Sequence, residues 1–123
     1  MFGLKTKDHD IVALDQELNA MILNGQALEA FEKYYDETVV MQENDAEPTV
    51  GKDANRVREH DFMDAITEFR GAEVLSSGAS ANTTFSHWKY DFTHKDWGDR
   101  NYRQVAVRTW KNGKIVNEVF HYG

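Results

Sequence analysis

Glu118 is the residue in this chain best placed for acid–base chemistry. It lies in IVNEVFHY, residues 115–122, where strand alternation puts it on one face with Val116, Phe120 and Tyr122. A carboxylate desolvated among aromatic side chains has a raised pKa and works as a general acid or base near neutrality. Paired to an arginine or hydrogen-bonded to a tyrosine, the same glutamate would instead fix ligand orientation or the fold. A second acidic stretch, ETVVMQENDAEPTVGKDA (37–54), carries Glu37, Glu43, Asp45 and Glu47 around the only proline, Pro48. Successive strand residues face opposite ways, so only one of Gln42 and Glu43 can face inward. The five histidines form no HxH, HxxxH or HExxH pair and there are no cysteines, so no metal site and no cofactor is expected. His60 is kept as a ligand-binding candidate on a helix near a possible pocket mouth.

These residues need a scaffold, and the periodicities outline one. Ile11, Leu14, Leu18 and Ile22 recur at helical spacing within a predicted helix 9–23, which Asn24-Gly25 stops. Residues 26–35 read as a second helix with Leu28, Phe31, Tyr34 and Tyr35 on its apolar side, and Thr38–Gln42 as a strand. A third helix is predicted over 52–69, with Val57, Phe62, Ala65, Ile66 and Phe69 buried. After Gly71 the period changes to two: Thr84, Ser86, Trp88, Tyr90 and Phe92 share one strand face, opposite Phe85, His87 and Lys89. Asn112-Gly113 marks a hairpin between Tyr102–Lys111 and Lys114–Tyr122. A regular two-residue turn pairs Lys111 with Lys114, and places Val107 opposite Glu118 and Thr109 opposite Val116. Helices followed by long antiparallel strands make an α+β fold with the helices on one face of the sheet. The last strand is apolar on both faces, with Ile115 and Val119 opposing Phe120 and Tyr122. The second face therefore needs a cover, and a homodimer through the sheet supplies one.

Bulk properties narrow the function. The 123 residues make one domain, 1–123, with 41% hydrophobic and 12% aromatic content. A net charge of −7 excludes a nucleic-acid partner, which requires concentrated basic surface. No apolar run approaches the ~20 residues of a membrane span, and MFGLKTKDHD lacks a signal-peptide core. No membrane association and a cytoplasmic location are the expectations.

Three segments in order, ILNGQALEAFEKYYDETVVMQEN, EPTVGKDA opening a helix, and WKNGKIVNEVFHYG, span most of the chain. Together they resemble the SnoaL-like family of the nuclear-transport-factor-2-like superfamily. The resemblance implies a cone-shaped α+β barrel, N-terminal helices packed into a strongly curved antiparallel sheet around an internal pocket. Members include ketosteroid isomerase, polyketide cyclases, epoxide hydrolases, dehydratases and non-catalytic binding domains, so fold alone does not select an activity. The positions of the isomerase's proton-shuttling aspartate, oxyanion-hole tyrosine and oxyanion-hole aspartic acid fall on Gln42, Leu18 and either Ala106 or Val107. Gln42 cannot abstract a proton, and neither Leu18 nor an aliphatic at 106 or 107 can donate a hydrogen bond to an enolate, so steroid-type isomerisation is not expected.

The resemblance also turns Gln42 inward, as an amide for a ligand carbonyl or hydroxyl, and leaves Glu43, Asp45 and Glu47 as a solvated loop. It makes the face of Glu118, Trp88, Tyr90, Phe92, Phe120 and Tyr122 a cavity wall, with Tyr34 reaching in from the second helix. The expected protein binds a small apolar or aromatic ligand. If it is an enzyme, it performs cofactor-free isomerase, cyclase or hydrolase chemistry with Glu118 as the acid/base. The alternative is a non-catalytic binding or dimerisation domain.

Overall fold

Helix formation starts where a cap is available. The computed structural model describes residues 10–123; the predicted helix start at His9 and the N-terminal residues before it lie outside that range. Asp10 caps helix α1 (Ile11–Leu23) by accepting from the Ala13 amide at 3.2 Å. Gly25, at φ +80°, turns the chain into α2 (Ala27–Tyr34), which runs straight into strand β1 (Tyr35–Glu43). The short β2 (Thr49–Val50) follows, and then Gly51, whose φ of +96° suits only glycine, opens α3 (Lys52–Ala65). The remaining chain is sheet: β3 (Ile66–Ser80), β4 (Thr83–His94), β5 (Gly98–Lys111) and β6 (Lys114–Tyr122).

The six strands form one sheet in the order β2-β1-β6-β5-β4-β3. Only β1 and β6 pair in parallel; the other neighbours are antiparallel. Three register shifts interrupt β3 against β4, and further shifts fall in the β1/β6 and β5/β6 pairs. Each bulge adds a residue to one side and bends the sheet, which is how the sheet curves around the helices. The result is the expected α+β cone. Leu18, Ala30, Phe31, Tyr34, Tyr35, Val39, Met41, Trp110 and Ile115 form its main apolar core between α1, α2 and the sheet. Among the described residues no helix is long and apolar enough to cross a membrane.

Two sequence expectations are corrected here. The third helix ends at Ala65, not at residue 69, and Ile66 and Phe69 belong to β3. The β-branched pair Ile66-Thr67 favours strand, and Ile66 pairs with His94. The stripe of α3 that meets the sheet is largely polar, Lys52, Asn55, Glu59 and Phe62, while Val57 is 59% exposed. Asn55 explains this choice. Its amide donates to the carbonyls of Thr49 at 3.0 Å, Gly51 at 2.8 Å and Val39 at 3.4 Å, tying the helix to β1 and β2.

The hairpin register is the second correction. Lys111 does pair with Lys114, but Val116 is an extra residue on β6: Trp110 pairs with Ile115 and Thr109 with Asn117. From there on the register moves by one, so Arg108, not Val107, stands opposite Glu118.

Candidate functional site

Paired residues on neighbouring strands point to the same side of a sheet, so the register assigns the concave face row by row. The first row is Thr84, Arg108, Glu118 and Met41; the second is Ser86, Ala106, Phe120 and Glu43. Trp88, Gln104 and Tyr122 form the third, followed by the pairs Tyr90–Tyr102 and Phe92–Arg100.

The first row holds a buried ionic cluster. Arg108 is 2% exposed and Glu118 is fully buried. Arg108 Nε donates to Glu118 Oε2 at 2.8 Å, and its Nη1 donates to Asp15 Oδ1 and Asn19 Oδ1, both at 2.7 Å. Tyr35 donates its hydroxyl to Glu118 Oε1 at 2.6 Å. Asp15, in turn, accepts from Thr84 at 2.9 Å and Ser86 at 3.0 Å, and Trp110 Nε1 donates to Thr84 at 2.8 Å. Burial alone would lower the Arg108 pKa, but Glu118, Tyr35 and Asp15 outweigh it and hold the guanidinium above its ordinary range. Burial, reinforced by the Glu118 charge, pushes the Tyr35 phenol well above its usual value. Both oxygens of Glu118 are thus engaged, and the one cation at the centre is fixed in its charged form. Both partner types anticipated for Glu118, an arginine and a tyrosine, are present.

Aromatic side chains fill the next rows. Trp88, fully buried, stacks on Tyr90 at 5.3 Å, and Tyr102 links Tyr90, Phe92 and Tyr122 at 5.8, 6.0 and 5.6 Å. Phe62 of α3 meets Phe92 edge-on at 5.7 Å. Phe120 and Tyr122 are half-buried. Trp88 Nε1 is buried and has no acceptor among the described residues, and the same holds for the Tyr34 hydroxyl. Tyr34 packs within the main core, edge-on to Trp110 at 6.2 Å.

Two site expectations change. Gln42 lies on the opposite face of β1 from the buried Val39 and Met41, beside Val119, and its amide donates to the Ala46 carbonyl at 2.8 Å. Glu43 takes the inward position instead of the loop: Tyr122 donates its hydroxyl to Glu43 Oε1, and Arg58 approaches Oε2 at 3.5 Å. Burial and this bond push the Tyr122 phenol up to about 12. The inward facing of Gln42 was carried over from the isomerase; alternation from the buried Val39 and Met41 puts Glu43 on the inner face instead. His60 is exposed on α3.

Sequence reasoning missed Asp15, Asn19, Tyr35, Arg108 and Glu59. Asp15, Leu18, Asn19 and Ile22 follow i, i+3, i+4, i+7 spacing, so a polar pair on the core stripe was a readable signal. Arg108 alternates with Ala106 and Trp110, both buried. Glu59, one turn from Asn55 and from Phe62, is half-buried over the sheet. Burial, then the charges of Glu118 and Glu43, push its carboxyl up to about 7, with Arg58 opposing. Among the described residues no three histidine or acidic side chains converge as a metal-binding set. A shallow open groove at the hairpin end, lined by Ile11, Ala81, Asn82, Trp110, Asn112 and Gly113, carries no ionisable side chain.

A six-stranded curved sheet wrapped round helices is the nuclear-transport-factor-2-like cone fold. The chain belongs to the SnoaL-like domain family, whose pattern matches residues 11–122. Among solved structures it is similar to a candidate SnoaL-like polyketide cyclase from Mesorhizobium loti, with 25% identity and a TM-score of 0.83. The match covers 91% of this chain and 98% of that one. It also resembles an NTF-2 like protein of unknown function from Burkholderia xenovorans, at 16% identity and a TM-score of 0.73 over 96% of this chain and 86% of the other. A third is AclR, a candidate hydroxylase from Streptomyces galilaeus, at 16% identity and 0.72 over 94% and 90%. No curated protein matches the chain in sequence.

Proposed function

We propose that this protein binds a small apolar or aromatic ligand against the concave aromatic face, with Trp88 Nε1 donating to a ligand oxygen. The observation that carries the reading is the Trp88 indole N–H: fully buried, flanked by Tyr90, and without an acceptor among the described residues. A buried donor left unpaired costs about 1–3 kcal/mol, a cost that a ligand acceptor would remove. Tyr90, Phe92, Phe120 and Tyr122 supply the apolar wall. The match to a candidate polyketide cyclase is in keeping with a small-molecule ligand.

Glu118 takes a fixed role in this reading. Its oxygens are held by Arg108 and Tyr35, so it is an anchored carboxyl that positions its neighbours rather than one free to reach a ligand. The same engagement favours the second reading, a non-catalytic binding domain. β-Naphthol, an aromatic alcohol with fluorescence sensitive to its surroundings, tests binding. Wild type should bind it, and Trp88→Phe should weaken binding by about five- to tenfold, the equivalent of one neutral hydrogen bond. Equal affinity for both proteins would dismiss Trp88 as the anchor.

The outer sheet face carries Phe85, 38% exposed, beside half-buried Val107 and Val119. We propose that a second copy of the chain covers it. Light scattering should give twice the chain mass, and Val107→Glu should return the monomer; a wild-type monomer at high concentration would reject the dimer.

A further inference from the structure

The aromatic face has a carboxyl that its ionic cluster does not use. Glu59 sits on α3 between two fixed points of the helix. One turn before it, Asn55 is bonded to β1 and β2 backbone; one turn after it, Phe62 packs on Phe92 of β4. The helix therefore suspends Glu59 over the middle of the concave face. Among the described residues its side chain makes no hydrogen bond or ion pair, unlike Asp15, Glu118 and Glu43. Its charge is felt by Tyr35 on β1 and Tyr90 on β4, and it feels Glu43 of β1 and Glu118 of β6, with Arg58 on its own helix opposing them. The Glu118 charge is shared with Arg108 of β5.

We propose that Glu59 is the proton-transferring residue of this site, acting on the hydroxyl of a bound neutral phenolic or enolic ligand whose oxygen Trp88 Nε1 holds. The inference rests on the pocket reading above. In the forward step the ligand O–H bond breaks and its proton passes to a Glu59 carboxylate oxygen. The bonding electron pair stays on the ligand oxygen, where the Trp88 N–H meets the developing charge. The reverse step returns the same proton, so no co-reactant is required. A carboxyl that titrates near neutrality loses little driving force in either direction. Burial and the neighbouring carboxylates place Glu59 there, at about 7. The division of labour follows: Glu118, with both oxygens engaged, stays put, and Glu59, with neither engaged, exchanges the proton.

β-Naphthol becomes a much stronger acid when excited, so its emission reports whether a base stands beside its hydroxyl. Bound to wild type, it should show naphtholate emission that rises with pH around a midpoint near 7. Glu59→Gln should still bind it at pH 6 but show little naphtholate emission from the bound form at any pH below the naphthol's own ionisation. Glu59→Asp, which keeps a carboxyl one methylene further back, should restore part of that emission and guards against a misfolded glutamine variant. Binding with the same pH course in wild type and Glu59→Gln would overturn the role of Glu59 and leave the pocket reading standing. Failure of wild type to bind naphthol would overturn the pocket reading, and the inference with it.

Discussion

Arg108→Met should cost about 3–5 kcal/mol of stability at pH 7, the range for removing one member of a buried ion pair. The substitution keeps the side-chain volume and removes the charge that Asp15 and Glu118 share. Those carboxylates are 3% exposed and fully buried, so water cannot replace the guanidinium. Tyr35, Thr84, Ser86 and Asn19 would still donate to them. Neutral donors, however, offset only part of the cost of two like charges in one apolar space. The deficit should shrink as pH falls, because an unpaired buried carboxylate takes up a proton more readily when folded than when unfolded. Urea unfolding at pH 7 and pH 5 reads both effects. Glu118→Gln should cost less, since Asp15 still neutralises Arg108. Converting Asp15, Arg108 and Glu118 together to apolar residues should recover most of the loss, as buried ionic clusters often stabilise no more than well-packed hydrophobic replacements. An Arg108→Met protein within 1 kcal/mol of wild type would show that this cluster does not bear on stability as its geometry implies.

The contrast between what the sequence disclosed and what it hid follows from range. Local patterns were legible: the period-two aromatics from Thr84 to Phe92 do share the concave face, and Asn112-Gly113 does make the terminal turn. Glu118 was found because it interrupts an apolar strand face. Its partner was not, because one unpaired residue at Val116 shifts the ladder and no local feature of KIVNE announces the bulge. The facing of Gln42 was missed because it was borrowed from the isomerase, although alternation from the apolar Val39 and Met41 already turns Glu43 inward. α3 was misread for a different reason. Its apolar residues Val57 and Met63 face outward, and a polar stripe faces the sheet. Amphipathic reasoning expects the reverse wherever a helix covers plain core. A polar stripe turned toward an aromatic face departs from local rules, and such departures concentrate at functional sites.

That departure has a measurable consequence in the pH dependence of stability. Glu59 moves from an unfolded value of 4.5 to about 7 in the folded chain, chiefly through burial and secondly through Glu118 and Glu43. The folded protein therefore binds this proton more tightly than the unfolded chain, by about 3 kcal/mol for a change of that size. Below pH 4.5 Glu59 is neutral in both states and exacts no penalty. As pH rises from 4.5 to 7 the unfolded chain ionises first, and the stability held by the neutral carboxyl drains away. Above pH 7 the penalty is complete and constant, with ionised Glu59 facing two other carboxylates. Glu59→Gln carries no titrating group there. The stability of the variant minus that of wild type should therefore climb by about 3 kcal/mol between pH 4.5 and 7 and then level off. Taking the difference cancels the acidic groups that do not interact with Glu59. Denaturant unfolding at half-unit pH steps would resolve the curve. Parallel wild-type and variant curves across the window would mean that Glu59 is solvated like any surface glutamate, and the concave face would then lack its one unengaged carboxyl. A climb centred between pH 4.5 and 7 would mean that the fold spends stability at neutral pH to hold an ionisable group over an aromatic surface, which core packing alone gives it no reason to do.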